Sequence, residues 1–321
     1  MSGRAGPGRL RAGASALGTV ISVLAVGGVV WWALRQEPPR LPDTPAQLAA
    51  LLGAVLLYGL VTVVRAERWH ALLRADYAAP PRSDSYALTV VGYAANNLLP
   101  ARAGDAIRVV LMAPRAHTSK RTVLGTLVAE RLLDIAVILV LFAVVGYGVL
   151  GQIAGDSLGI GAVGLSVLAA VSVGAWLLLR RRARLHAFLE PILASTLGLR
   201  SRLGAILLAV TVLIWAIEAA VWMAVGAAVG FAMDPIEGAY LVALASVFAL
   251  IPSGPGYAGT QDAAAVIGIR ALGGTGAVAV AYLVTVRFVL MVPITLAGLA
   301  LGAARYGGVR RLRAMRSERD A

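Results

Sequence analysis

The chain has 321 residues, 59% of them hydrophobic, with a mean hydropathy of +0.82 and only 14% charged. That composition points to an all-α polytopic membrane protein; the net charge of +13 sits on arginines gathered in short loops and follows the positive-inside rule, not nucleic-acid binding. The absence of cysteine excludes disulfides, thiolate metal sites and cysteine nucleophiles.

Arg4, Arg9 and Arg11 precede an apolar run over 16–34 that is too long for a signal-peptide core and ends at Trp31-Trp32, so it reads as the first span. The polar stretch after it, with Glu37 and Asp43, reads as outside. A second span from Ala46 to about Val64 leads to Arg65, Glu67, Arg68, Arg74 and Arg82, read as a cytoplasmic loop with Glu67 and Arg68 as interfacial anchors.

Residues 84–113 are then flanked by basic clusters on both sides, with Arg115, Lys120 and Arg121 following. A simple span would put one cluster outside, whereas a re-entrant hairpin dipping in from the cytoplasm satisfies both. The next span reaches Leu150 and carries Glu130, Arg131 and Asp134 in its first half. A linking span, 158–179, returns to Arg180, Arg181, Arg182 and Arg184, and Leu203–Phe231 crosses outward with Glu218 midway. A second hairpin, 238–272, lies between acidic and neutral flanks, so it enters from outside. The last span ends in the basic tail 304–321.

The reading is therefore six full spans and two re-entrant helical hairpins, with both termini cytoplasmic and the protein in the cytoplasmic membrane. Units 46–150 and 203–303 then form an inverted repeat, an architecture that transporters use with the site at the repeat interface. Leu98-Leu99-Pro100 with Gly104 matches Leu250-Ile251-Pro252 with Gly256 at the same spacing.

The chemistry concentrates at the hairpin breaks, Pro100 in the first and Pro252, Gly254 and Gly256 in the second. Asp105 reads as the N-cap of a half-helix starting at Ala106, and a second half-helix starts near Gln261. Helix N-termini near the midplane favour anions, and Arg102, Arg108 and Arg287 would add full charges suited to a phosphate. Asn97, Gly104 and Tyr257 complete the expected substrate-binding set. Asp105, Glu130, Arg131, Asp134 and Glu218 read as structural or coupling charges; the alternative is that the first hairpin's charges, Arg102 and Arg108 included, simply pair among themselves. The single lysine, Lys120, has no Gly-rich loop before it, and His70, His117 and His186 are scattered, so no nucleotide site, metal or cofactor is expected.

Asn97-Leu98-Leu99-Pro100-Ala101-Arg102-Ala103-Gly104-Asp105…Arg108, then Glu130-Arg131…Asp134, then Pro252-Ser253-Gly254-Pro255-Gly256-Tyr257-Ala258-Gly259 resemble the flippase-like membrane domain of lysylphosphatidylglycerol synthases. The resemblance runs from about Ala46 to Ala303 and implies a fold that moves a modified phospholipid between leaflets. The synthases' further membrane region and aminoacyl-transferase domain have no counterpart in this sequence, so no enzymatic activity is expected. The expected function is a lipid flippase-like transporter for a phospholipid or phosphate-bearing glycolipid, with the membrane lipid's phosphate headgroup as partner. The alternatives are a non-transporting membrane partner of a cell-envelope glycosyltransferase or other lipid-modifying enzyme, and an anion transporter. The reading leaves a homodimer open.

Overall fold

In the computed structural model, residues 23–76, 80–99, 102–154, 202–249 and 254–307 are described. They are helical with short connections: α1 (Val23–Ala33), α2 (Pro45–Asp76), α3 (Arg82–Leu98), α4 (Ala103–Arg115), α5 (Lys120–Ala154), α6 (Arg202–Ala228), α7 (Pro235–Phe248), a 3-10 turn at Pro255–Tyr257, α8 (Thr260–Ala271) and α9 (Gly276–Tyr306). The linking span 158–179, most of the basic tail, Pro100 and Pro252 lie outside the described residues.

Length divides the helices into two kinds. Among the described residues, Pro45–Ala75, Arg202–Ala228 and Gly276–Tyr306 are long and apolar enough to cross a membrane. A helix rises about 1.5 Å per residue, so these exceed the ~30 Å hydrocarbon thickness. By contrast α3, α4, α7 and α8 have 17, 13, 14 and 12 residues and come in two packed pairs, α3 on α4 and α7 on α8. At about 18–25 Å each, none matches the full apolar thickness.

The packing repeats itself when α2, α3, α4 and α5 are exchanged with α6, α7, α8 and α9. Contacts α2·α3, α4·α5 and α3·α9 have the counterparts α6·α7, α8·α9 and α7·α5. Likewise α2·α9 and α2·α5 match α6·α5 and α6·α9, while α2·α6 maps onto itself. One core gathers Trp69, Leu73, Leu88, Met112 and Val123 from α2 to α5; the other gathers Trp222, Leu241, Ile269, Tyr282 and Val289 from α6 to α9.

Local chemistry explains the ends. Asp234 and Glu237 form a reciprocal capping box that starts α7, with Asp234 Oδ1 accepting from the Ile236 and Glu237 N–H groups at 2.8 Å. Thr275 caps α9, whose end is marked by Gly307 at φ 70°. In the first hairpin, α3 and α4 approach until a Cβ on Gly104 would collide with the Gly92 carbonyl.

Two boundaries correct the sequence reading. The second span does not stop near Val64: α2 runs unbroken to Asp76, so Arg65, Glu67, Arg68 and Arg74 ride on a helix and not in a loop. The first half-helix after the break starts at Ala103, with Arg102 at the N-cap, so Asp105 lies in its first turn and is not the cap. Gly104 accordingly sits inside α4, packed against Gly92 of α3.

Candidate functional site

The hairpin breaks and the middles of α2, α5, α6 and α9 enclose a cavity of about 290 Å³. Tyr58, Arg65, Asn97, Arg102, Arg131, Asp134, Trp215, Glu218, Trp222, Tyr257 and Arg287 are among its lining residues. It is the place where the two units of the exchange pattern face each other.

Its charges are largely spent on one another. Arg68 grips Asp134 with both terminal nitrogens, at 2.7 and 3.2 Å, and donates to Thr211 at 2.8 Å. Glu130 lies between Arg68 at 3.7 Å and Arg108 at 3.1 Å. Arg131 bridges Asp105 at 3.6 Å and Asp134 at 3.8 Å, and Arg65 meets Glu218 at 3.0 Å. Arg287 pairs with Asp262 and donates to the carbonyls of Gly256 and Tyr257, holding the second break closed. Buried charges survive in a low-dielectric setting only when paired in this way.

Arg102 is the exception. Among the described residues, the cavity's charged side chains and their partners comprise six arginines (65, 68, 102, 108, 131 and 287) and five acids (105, 130, 134, 218 and 262). The surplus cation is Arg102, which makes no ion pair among those residues. Its guanidinium carbon stands 5.1 Å from the centroid of the Tyr257 ring, a cation–π contact across the two hairpins. Both residues hold the left-handed backbone region, at φ 53° and 56°, which bulky side chains seldom adopt.

The expected site residues therefore part company. Arg102, Asn97, Tyr257 and Arg287 line the cavity together with Arg131, Asp134, Glu218 and Gly256. Asn97 spends one of its two amide N–H groups on Thr295 at 3.0 Å, and Arg287 is committed to the second break, so both are already partly engaged within the protein. Arg108 is not a cavity residue: it is 2% exposed, lies 3.9 Å from the Trp69 ring centroid and pairs with Glu130. Gly104, Asp105 and Glu130 also stand behind the wall. Gly254 lies at the start of the 3-10 turn, and Gly256 supplies a positive φ there.

The half-helix N-termini are not the open anion sites that their position suggests. Asn96 Oδ1 takes the Gly104 N–H at 2.8 Å, and Asp105 already places a negative charge in the first turn of α4. Asp262 does the equivalent for α8, accepting from the Gly259 N–H at 2.7 Å. Attraction for an anion thus rests on the Arg102 side chain.

Sequence reasoning misses Arg65, Asp262 and the aromatic wall of Tyr58, Trp215 and Trp222, and it misassigns Arg68 as an anchor when it is 3% exposed in the bundle. Glu67 does lie at the surface, accepting from Tyr86 at 2.7 Å and pairing with Arg82 at 3.2 Å. A signal for Arg65 exists in the repeat: Arg65 stands seventeen residues before Arg82, the start of α3, and Glu218 seventeen before Pro235, the start of α7. Asp105 and Asp262 are likewise the third residues of α4 and α8, and each meets an arginine of the long helix that follows.

The family model described as the lysylphosphatidylglycerol synthase TM region matches residues 16–298. No curated protein and no solved structure matches the chain.

Proposed function

The chain belongs to the lysylphosphatidylglycerol synthase transmembrane-region family, whose role concerns membrane lipids, and from that premise we propose that it moves an anionic phospholipid between leaflets. The phosphate binds Arg102 while the acyl chains stay in the bilayer. The observation that carries the reading is the surplus guanidinium of Arg102 in a cavity whose other charges are paired. Arg102 is half-buried, and a cation placed in a membrane-bundle cavity without a counter-ion attracts an anion; a planar guanidinium matches phosphate oxygens in bidentate geometry. Gly259 holds the equivalent N-cap in the second hairpin, so only one hairpin offers this charge and one phosphate is accommodated at a time.

The membrane arrangement belongs to the same proposal. Two packed pairs of half-length helices, and a contact pattern that survives exchange of the units, support re-entrant hairpins in an inverted repeat. Basic flanks support a reading with the first hairpin's ends and both termini on the cytoplasmic side and six full spans in the cytoplasmic membrane.

Purified protein in liposomes containing a fluorescent phospholipid provides the test. Added reductant should bleach more than the half of the label that sits in the outer leaflet. Bleaching that stops at the protein-free level would refute translocation, and uptake of radiolabelled inorganic phosphate instead would make the protein an anion transporter.

A further inference from the structure

Resting on the phosphate reading, we propose that the α6 wall of the cavity is a second subsite, one that reads hydroxyl groups on the lipid headgroup. Trp215, Glu218 and Trp222 fall at spacings of three and four on one face of α6, and all three line the cavity. They are 8%, 7% and 1% exposed. Yet the indole nitrogens of both tryptophans and Oε2 of Glu218 lack a hydrogen-bond partner among the described residues. The Arg65 ion pair reaches that same oxygen at 3.0 Å without hydrogen-bond alignment, so the oxygen can still accept a donor.

Buried polar groups are nearly always satisfied, and two donors and an acceptor left over on one cavity wall define the chemistry of what completes them. An ammonium headgroup only donates, so it cannot accept from an indole N–H. It would also meet Arg65, which already stands 5.8 Å from the Trp215 ring centroid and beside Glu218. A hydroxyl does both tasks, accepting from an indole and donating to the carboxylate. The rings of Tyr58, Trp215 and Trp222 add apolar surface for the carbon side of a polyol or hexose. The nitrogen atoms lie within the wall, so engagement involves a small turn of the rings toward the ligand. With the phosphate at Arg102, a volume of about 290 Å³ suits a headgroup of glycerol or single-sugar size.

Calorimetric titration of the purified protein in detergent tests this with three short-chain lipids: dioctanoyl phosphatidylglycerol, phosphatidylethanol and phosphatidylethanolamine. The first two carry the same charge and differ in headgroup hydroxyls. Two added hydrogen bonds make phosphatidylglycerol bind about tenfold tighter than phosphatidylethanol. Trp215→Phe and Trp222→Phe keep the rings but remove the donors, and each lowers that ratio, whereas Arg102→Ala weakens both anionic lipids together. Equal affinities for the two anionic lipids in the wild-type protein, a ratio untouched by both Phe variants, or tighter binding of phosphatidylethanolamine would overturn the subsite. Phosphatidylethanol binding that ignores Arg102→Ala would overturn the phosphate reading instead. The wild-type ratio decides the matter even if a Phe variant fails to fold.

Discussion

Arg102 and Tyr257 sit at the breaks of different hairpins, both in left-handed backbone, with the guanidinium carbon 5.1 Å from the ring centroid. Neither residue type favours that conformation, and strained positions of this kind gather at ligand sites where the surrounding structure holds them. The contact joins the two units at the point of the cavity where, among the described residues, a positive charge is left over. An arriving phosphate would find that charge oriented by an aromatic face and not neutralised by a carboxylate.

Arg65 and Glu218 give the first prediction. They occupy equivalent places in the two units and pair with each other at 3.0 Å, so the bridge crosses the axis of the exchange pattern. Arg65→Ala or Glu218→Ala alone should lower stability by about 3–5 kcal/mol, because each leaves a buried charge uncompensated. The exchanged pair Arg65→Glu with Glu218→Arg should recover most of that loss. Melting temperatures of the three variants in detergent give the coupling directly.

The buried network between α2 and α5, which reaches Arg108 of α4 through Glu130, gives the second. Arg68→Ala, Glu130→Gln and Asp134→Asn each strip a partner from groups that are 3–8% exposed. Each should destabilise by a similar ~3–5 kcal/mol, read as a lower melting temperature. Unchanged melting would show that these residues do not hold α2, α4 and α5 together.

Packing of the half-helices gives the third. Gly104→Ala sets a methyl against the Gly92 carbonyl and must part α3 from α4, at a cost of about 1–3 kcal/mol. Gly59→Ala is the control, since nothing lies within 4 Å of the added carbon and helix propensity favours alanine. Equal melting of the two variants would contradict the close approach.

Much of this was legible in the sequence because punctuation survives burial. Glycine, proline and charge inside apolar runs locate both pairs of short helices to within a few residues: 84–113 against α3 and α4 over Arg82–Arg115, and 238–272 against α7 and α8 over Pro235–Ala271. Arg65 and Arg68 were not legible as site residues, because an arginine cluster after an apolar run looks the same whether it ends in water or continues on a helix. What decides is the acid it meets far along the chain, Glu218 and Asp134, and pairing at that separation leaves no local pattern. Arg108 failed for the converse reason. Its charge suits an anion, but its helical phase turns it onto Trp69 and Glu130, away from the cavity.

Sidedness gives the fourth prediction. Both ends of the first hairpin lie beside the end of α9: Arg115 is 3.8 Å from Asp84, and Arg305 donates to the Ser83 carbonyl at 2.8 Å. The chain has no cysteine, so single cysteines report without background. Ser83→Cys and Thr118→Cys should label from the cytoplasm only, Glu237→Cys and Gly274→Cys from outside only. Opposite sides for the two ends of either segment would remove the re-entrant hairpins and the inverted repeat.

The central claim is that Arg102 carries the lipid phosphate, and its most direct measurement is phospholipid scrambling by Arg102→Ala and Arg102→Lys in liposomes. Arg102 makes no ion pair among the described residues, so Arg102→Lys should leave the melting temperature unchanged and Arg102→Ala should cost no more than its cation–π contact, about 0.5–1 kcal/mol. Arg102→Ala should reduce scrambling to the protein-free rate. Arg102→Lys, which keeps the charge but loses the planar fork, should retain part of it. Scrambling by Arg102→Ala at the wild-type rate would contradict the account.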